Sequence, residues 1–405
     1  MILALAAVAA PPQGAGGPLN SYIVQVAPGA DPVQIGRGVA QRTGGKLGHV
    51  YTRALSGFSV QLPPGLAKKA IEGQPGVLKV EADARIHAVA QILPTGINRV
   101  DADLNAVAGI NNSDERVDVD IAILDTGIDR DHPDLNVVGG RRFYSLLWWT
   151  FEDDQYDDDH GHGTHCAGIA AALDNDVGVV GMAPGARLWG VKILDSTGSG
   201  YVSDLVAGVD WVTAHGGIKV ANMSLSAVAR VDALRTAIQS AVAKGVVFVA
   251  AAGNDAKDVY GNDGTFNTSD DYIPAAYPEV AAVSAMADSD GLPGGSGSAT
   301  SYGDDDTFAS FSNYSGSVVA GNPVTSPGKA IDLLMPGVDI NSCWMNGGYH
   351  TASGTSMASP HAAGLAALYI AEHGAASTAS GVDAIRQALI AAGVEQTDAT
   401  RGLAT

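Results

Sequence analysis

From residue 117 onward, short runs of almost unbroken apolar residues alternate with longer segments of helical period. Strands are expected over 117–124, 188–194, 219–223, 246–251 and 280–284, and helices over 163–173, 202–215, 231–244, 357–370 and 382–392. A strand that is apolar on both faces must be covered on both faces. Helical connectors of about 10–15 residues make neighbouring strands run parallel. The expectation is an α/β fold in three layers, with a mainly parallel sheet between helices. Two stretches break the pattern, 152–159 and 286–306, and both read as surface loops.

The first 90 residues follow a different rule. Residues 22–26 and 56–62 alternate like strands, 66–71 reads as a helix after Pro64, and 77–80 as a further strand. This is a small α+β domain behind a Gly/Pro-rich linker at 13–20. Residues 21–90 hold eight Lys/Arg and four Asp/Glu, a net of +4, whereas 91–405 carry −24. A small basic domain ahead of a large acidic one suggests a complementary pair, although ordinary variation in composition gives the same numbers.

The whole-chain charge of −20 argues against a nucleic-acid partner. Residues 1–10 are apolar but too short to span a bilayer, so no membrane span is expected. They resemble the core and cleavage end of a signal peptide without its basic start, and a disordered tail is the alternative. Two cysteines, Cys166 and Cys343, cannot make a disulfide framework, and the sequence leaves their pairing open. Monomer is the default.

In a parallel sheet, functional groups gather at the carboxyl ends of strands. Asp125 follows the first strand of the large region, and Thr126-Gly127 opens a turn. Alone it is as readily a turn residue. His162 lies in His160-Gly161-His162-Gly163-Thr164-His165, just before an apolar helix. Three histidines invite a metal reading, but no acidic partner stands between His162 and His165 as in a His-Glu-x-x-His helix. A base at a helix start fits better, with His165 structural. Asn254 follows a strand and Ala252-Gly253, either as a turn residue or as a donor to a developing oxyanion. Ser356 opens a helix, where it is an N-cap or a nucleophile favoured by the positive helix end.

Together, Asp125-Thr126-Gly127, His162-Gly163-Thr164-His165 and Gly354-Thr355-Ser356-Met357-Ala358-Ser359-Pro360-His361 resemble the three signature motifs of the subtilase (subtilisin-like) serine proteases. Their order Asp, His, Ser is the subtilisin order. Ala251-Ala252-Gly253-Asn254 is similar to that family's oxyanion-hole segment. The resemblance runs from residue 21 to about 395. It implies a subtilisin-like fold and a secreted serine endopeptidase acting through an acyl-enzyme. Ser356 is then the nucleophile, His162 the base, Asp125 its orienting acid and Asn254 an oxyanion donor. Ser224-Leu225-Ser226-Ala227 matches the segment that pairs with substrate, with Ser226-Ala227 where subtilisins usually have two glycines. Cys166 resembles the thiol-bearing branch that includes proteinase K, which implies sensitivity to mercurials. Met357 implies loss of activity on peroxide treatment.

The resemblance also divides the chain into a signal-like segment and linker at 1–20, an inhibitor-like propeptide at 21–89 and a peptidase domain at 90–405. It implies self-cleavage after Val89, with Ile86 filling an apolar pocket, and a propeptide that is both chaperone and inhibitor. Peptides and proteins are the implied substrates. The family's tight calcium site matches Gln91, Asp134, Leu173, Asn175, Val177 and Val179, with the site completed once cleavage frees Gln91. A plain acidic turn is the alternative. The clusters 157–159 and 304–306 read as solvated loops, or else as further calcium sites.

Overall fold

The computed structural model describes residues 21–63, 66, 68–83, 91–146 and 149–395. The signal-like segment 1–20 and the processing stretch 84–90, with Ile86 and the Val89–Ala90 bond, lie outside these. The chain forms two compact units, Met1–Ala88 and Val89–Thr405.

The first unit runs β1 (Ser21–Val26), α1 (Pro32–Thr43), β2 (Lys46–Tyr51), β3 (Gly57–Gln61) and β4 (Val77–Ala82). The strands form one sheet in the order β2-β3-β1-β4, antiparallel throughout, and α1 packs on β2 and β3. Val24, Val39, Phe58, Val60 and Val80 make its core. The residue pattern alone does not reveal α1 or β2. The signals for α1 are local: Asp31 accepts from the N–H groups of Val33 and Gln34, Pro32 opens the helix, and Gly44 leaves it at φ 67°. In place of the helix over 66–71, the described residues there hold a single 3₁₀ turn, Lys68–Ala70.

The second unit contains α2 (Thr95–Arg99), β5 (Asp120–Asp125), β6 (Val137–Leu146), β7 (Trp149–Asp153), α3 (His162–Ala171), β8 (Arg187–Lys192) and α4 (Val202–His215). It continues with β9 (Val220–Met223), β10 (Ala227–Val228), α5 (Asp232–Val242), β11 (Val247–Ala251), β12 (Tyr272–Ile273), β13 (Ala281–Ala287) and β14 (Thr307–Phe308). The last elements are β15 (Leu333–Pro336), β16 (Ile340–Trp344), β17 (Gly348–Ala352), α6 (Thr355–His373) and α7 (Ala379–Ala392).

A nine-stranded sheet runs β14-β13-β11-β9-β5-β8-β6-β7, with β15 also paired to β13. Every pair is parallel except those of β14 and β7. Strands β5, β9, β11 and β13 are buried at every residue, as strands covered on both faces must be. Helices α3 and α6 pack on each other, as do α4 and α5. Gly364 lets α3 and α6 approach closely, since a Cβ there would lie 2.7 Å from the Ala170 carbonyl. The three-layer α/β expectation holds.

The acidic stretch 152–159 is not wholly a loop. Its first two residues belong to β7, where Glu152 and Asp153 pair across the hairpin with Arg141 and Arg142. The 286–306 stretch likewise turns carboxylates inward. Arg99 sits between Asp288 and Asp306, at 3.3 and 3.0 Å, and Asp305 accepts from the N–H groups of Ser289 and Gly297.

Candidate active site

The ends of β5, β9 and β11 and the starts of α3 and α6 meet at one cleft. Asp125 is the last residue of β5 and is fully buried. Its Oδ1 accepts from the Thr126 N–H and faces His162 Nδ1, each at 2.7 Å. His162 begins α3 and is partly exposed. Burial opposes charging this imidazole, but the charge and hydrogen bond of Asp125, with help from Asp158, outweigh it and raise its pKa.

Asp158 is the residue that sequence analysis misplaces. Far from being solvated, it accepts from five donors: the Thr126 hydroxyl, the N–H groups of His160, Gly161 and Thr164, and the Thr164 hydroxyl. It thereby ties the turn after Asp125 to the first turn of α3. Burial works against its charge, yet these hydrogen bonds win and lower its pKa. Its neighbours are also engaged, Asp157 with Arg130 and Asp159 with the buried Lys192. No cap signal singles it out, because the N-cap of α3 is Gly161 and Asp158 stands three residues ahead of it.

Ser356 is the second residue of α6. Its carbonyl accepts from the Ser224 hydroxyl at 2.8 Å and lies 3.4 Å from Cys166 Sγ. Its own hydroxyl donates to the Ser224 carbonyl at 3.2 Å. Among the described residues it makes no hydrogen bond to His162. Asn222 holds this junction together, donating to Ser224 Oγ at 2.9 Å and accepting from Ser359 Oγ at 2.6 Å.

Asn254 stands exposed beyond β11. Its Oδ1 accepts from both the N–H and the hydroxyl of Thr355, each at 2.8 Å. An oxygen so engaged fixes which way the amide points and leaves Nδ2 as the free donor. Thr355 is a second residue that sequence analysis missed.

The remaining expectations fall as follows. His165 is buried and its Nε2 reaches the carbonyls of Ile340 and His350, while burial lowers its pKa to about 4. It is structural, and the three histidines do not converge on one point among the described residues. Cys166 and Cys343 are both buried and unpaired. Cys166 Sγ lies within 4.8 Å of ligand atoms of Asp125 and His162, and burial pushes its thiol well above the usual range. A cleft cavity of about 470 Å³ opens beside His162, walled by Leu194, Leu205, Leu225, Leu234 and Ile273. Ser226 and Ala227 line it too, and Ala227 pairs with Ile273.

The six calcium candidates lie around one loop. Gln91 Nε2 donates to the carbonyls of Leu173 and Val179, at 2.7 and 3.3 Å. Asn175 donates to Asp134 Oδ1 at 2.9 Å and accepts from the Val177 N–H. Asp134 is buried, and desolvation raises its pKa to about 6 despite hydrogen bonds from Val179, Asn175 and Tyr349. Carbonyl, amide and carboxylate oxygens around one strained negative charge fit a hard cation. Ile92 bonds the loop on both sides, to Gly178 O at 2.7 Å and from Val180 N at 3.3 Å, with Gln91 next to it in the chain.

A buried acid holding a histidine at the start of α3, with a serine in the first turn of α6, on a mainly parallel three-layer scaffold, defines a serine endopeptidase of α/β type. Residues 117–402 match the model of the Subtilase family, and the chain belongs to that family. It is 37% identical to Subtilisin E of Bacillus subtilis over 307 residues, 76% of this chain and 68% of that one. It is 36% identical to an alkaline protease of Alkalihalobacillus alcalophilus over 311 residues, 77% of this chain and 68% of that one. A solved cold-adapted subtilisin-like serine proteinase aligns with TM-score 0.55 at 30% identity, over 78% of this chain and 96% of its own.

Proposed function

We propose that this subtilase is a secreted, self-processing endopeptidase whose catalytic residues are Ser356, His162, Asp125 and Asn254. The observation that carries the reading is the Asp125–His162 hydrogen bond beside a cleft lined by His162 and by Ser224, whose carbonyl accepts from the Ser356 hydroxyl. Attack begins when the Ser356 hydroxyl leaves the Ser224 carbonyl for His162 Nε2, which takes its proton. Asp125 keeps the imidazole in the tautomer that presents Nε2 as acceptor and stabilises the imidazolium that forms. The Asn254 Nδ2 and the Ser356 N–H bind the oxyanion, His162 protonates the leaving amine, and water releases the acyl group. A fluorophosphonate should label one residue, Ser356, and block casein hydrolysis, while a chelator present only during a short assay should not. Labelling elsewhere with full loss of activity sinks the assignment.

Because a base must be neutral to act, activity should fall as pH drops through the pKa of His162. Asp125 raises that pKa, so the acid limb of kcat/KM is expected above the ordinary imidazole value of 6.5. A limb below it, measured on a small peptide substrate, contradicts the arrangement.

Residues 21–89 serve as the propeptide, the first cut falls after Val89, and the segment 1–20 directs export. Peptides and proteins are the substrates, with the apolar cavity taking a side chain on the acyl side of the cut. The enzyme acts as a monomer. Gln91, Asp134, Asn175 and the carbonyls of Leu173, Val177 and Val179 would hold calcium, which supplies charge neutralisation and loop stiffness rather than chemistry. A site held at 100 times its Kd contributes about 2.7 kcal/mol. Chelation of an inactive variant should therefore lower Tm by roughly 3–5 °C, and Asp134→Ala should remove the difference. An unchanged Tm with calcium binding undetectable by calorimetry removes the site.

A further inference from the structure

We propose that Asn313 is a positioning residue of the reaction, fixing the loop that carries Asn254. The inference rests on the reading of Asn254 as an oxyanion donor. That residue sits exposed on a loop, where backbone is ordinarily mobile, yet a donor aimed at a developing charge helps only if it is held in place.

Asn313 is fully buried and spends its whole side chain on this loop. Its Nδ2 donates to the Ala252 carbonyl at 3.0 Å, and its Oδ1 accepts from the N–H groups of Asp255 and Lys257 at 3.0 and 2.9 Å. Its backbone N–H donates to the Gly253 carbonyl at 2.9 Å. Asn254 is thus bracketed on both sides by one residue. Gly253 has φ 107°, and a Cβ there would lie 2.4 Å from Asn313 Nδ2, so the bracket leaves no room for a side chain beside it. The anchor is itself rooted in the sheet, because the Asn313 carbonyl accepts from Ser284 Oγ on β13 at 2.7 Å. Thr355 sets the rotation of the Asn254 amide, and Asn313 sets where that amide stands.

The test compares Asn313→Ala, Asn254→Ala and the double variant as purified processed enzymes. Asn313→Ala should lower kcat by about 10–100-fold with KM little changed, the size expected of a misplaced group. It should weaken binding of a peptidyl boronic acid by a similar factor and leave binding of a product peptide unchanged. With Asn254 already replaced, the second substitution should lower kcat no further. Asn322→Ala is the structural comparison, since buried Asn322 grips Gly264 and Phe266 in the same manner away from the cleft. It should lower Tm without altering kcat. If Asn313→Ala does not fold, Asn313→Asp, which keeps both acceptor contacts and loses the donor, replaces it throughout. A normal kcat in a folded Asn313 variant, or losses that multiply with Asn254→Ala, overturns the proposal. A normal kcat for Asn254→Ala alone sinks the reading beneath it instead.

Discussion

Ser356→Ala is expected to lower kcat on casein by about 10⁶-fold while the chain still folds. The hydroxyl makes a single hydrogen bond among the described residues, to the Ser224 carbonyl, so its loss leaves little unsatisfied. The Ser356 carbonyl, which anchors Ser224, is unaffected by the change. Without a nucleophile the acyl-enzyme route closes, and only the residual advantage of binding and the oxyanion donors remains. The variant precursor should also keep its N-terminal domain attached, while wild type yields a protein starting at Ala90. Gel mobility and N-terminal sequencing read both results. Processing of the purified variant at the wild-type rate means that Ser356 does not make that cut.

Asp125→Asn should lower kcat by about 10⁴-fold, the cost of holding a histidine in the wrong tautomer. The carboxylate accepts twice through one oxygen, from Thr126 and His162; a neutral amide lacks the charge that stabilises the imidazolium, and with its NH2 turned toward Nδ1 it selects the wrong tautomer. Among the described residues its other oxygen is buried without a hydrogen-bond partner, so the substitution removes a desolvated charge and the fold should survive. Since Asp125 raises the pKa of His162, the remaining activity should show its acid limb shifted to lower pH. Unchanged kcat, or a limb that moves upward, rules out the orienting role.

The scaffold was legible because both-face burial leaves an unmistakable pattern: β5, β9, β11 and β13 are mostly apolar and wholly buried. The hairpins β6–β7 and β16–β17 were not, since their strands mix glycines, charges and aromatics whose partners are distant in sequence. The site residues carried motif-level signals, but their supports did not. Asp158 looked like one acid in a solvated cluster, and Asn313 like any polar residue in a loop. Each owes its role to contacts that only the folded chain creates, across 32 positions from Thr126 and 61 from Ala252.

The five bonds to Asp158 also bear on how the molecule fluctuates. Because a single carboxylate grips both the turn after Asp125 and the first turn of α3, neither can breathe without releasing the other. The acid and the base it orients then belong to one cooperative unit, which opens and closes as a whole. Amide hydrogen exchange at Gly161, Gly163 and Thr164 should then report one shared opening free energy.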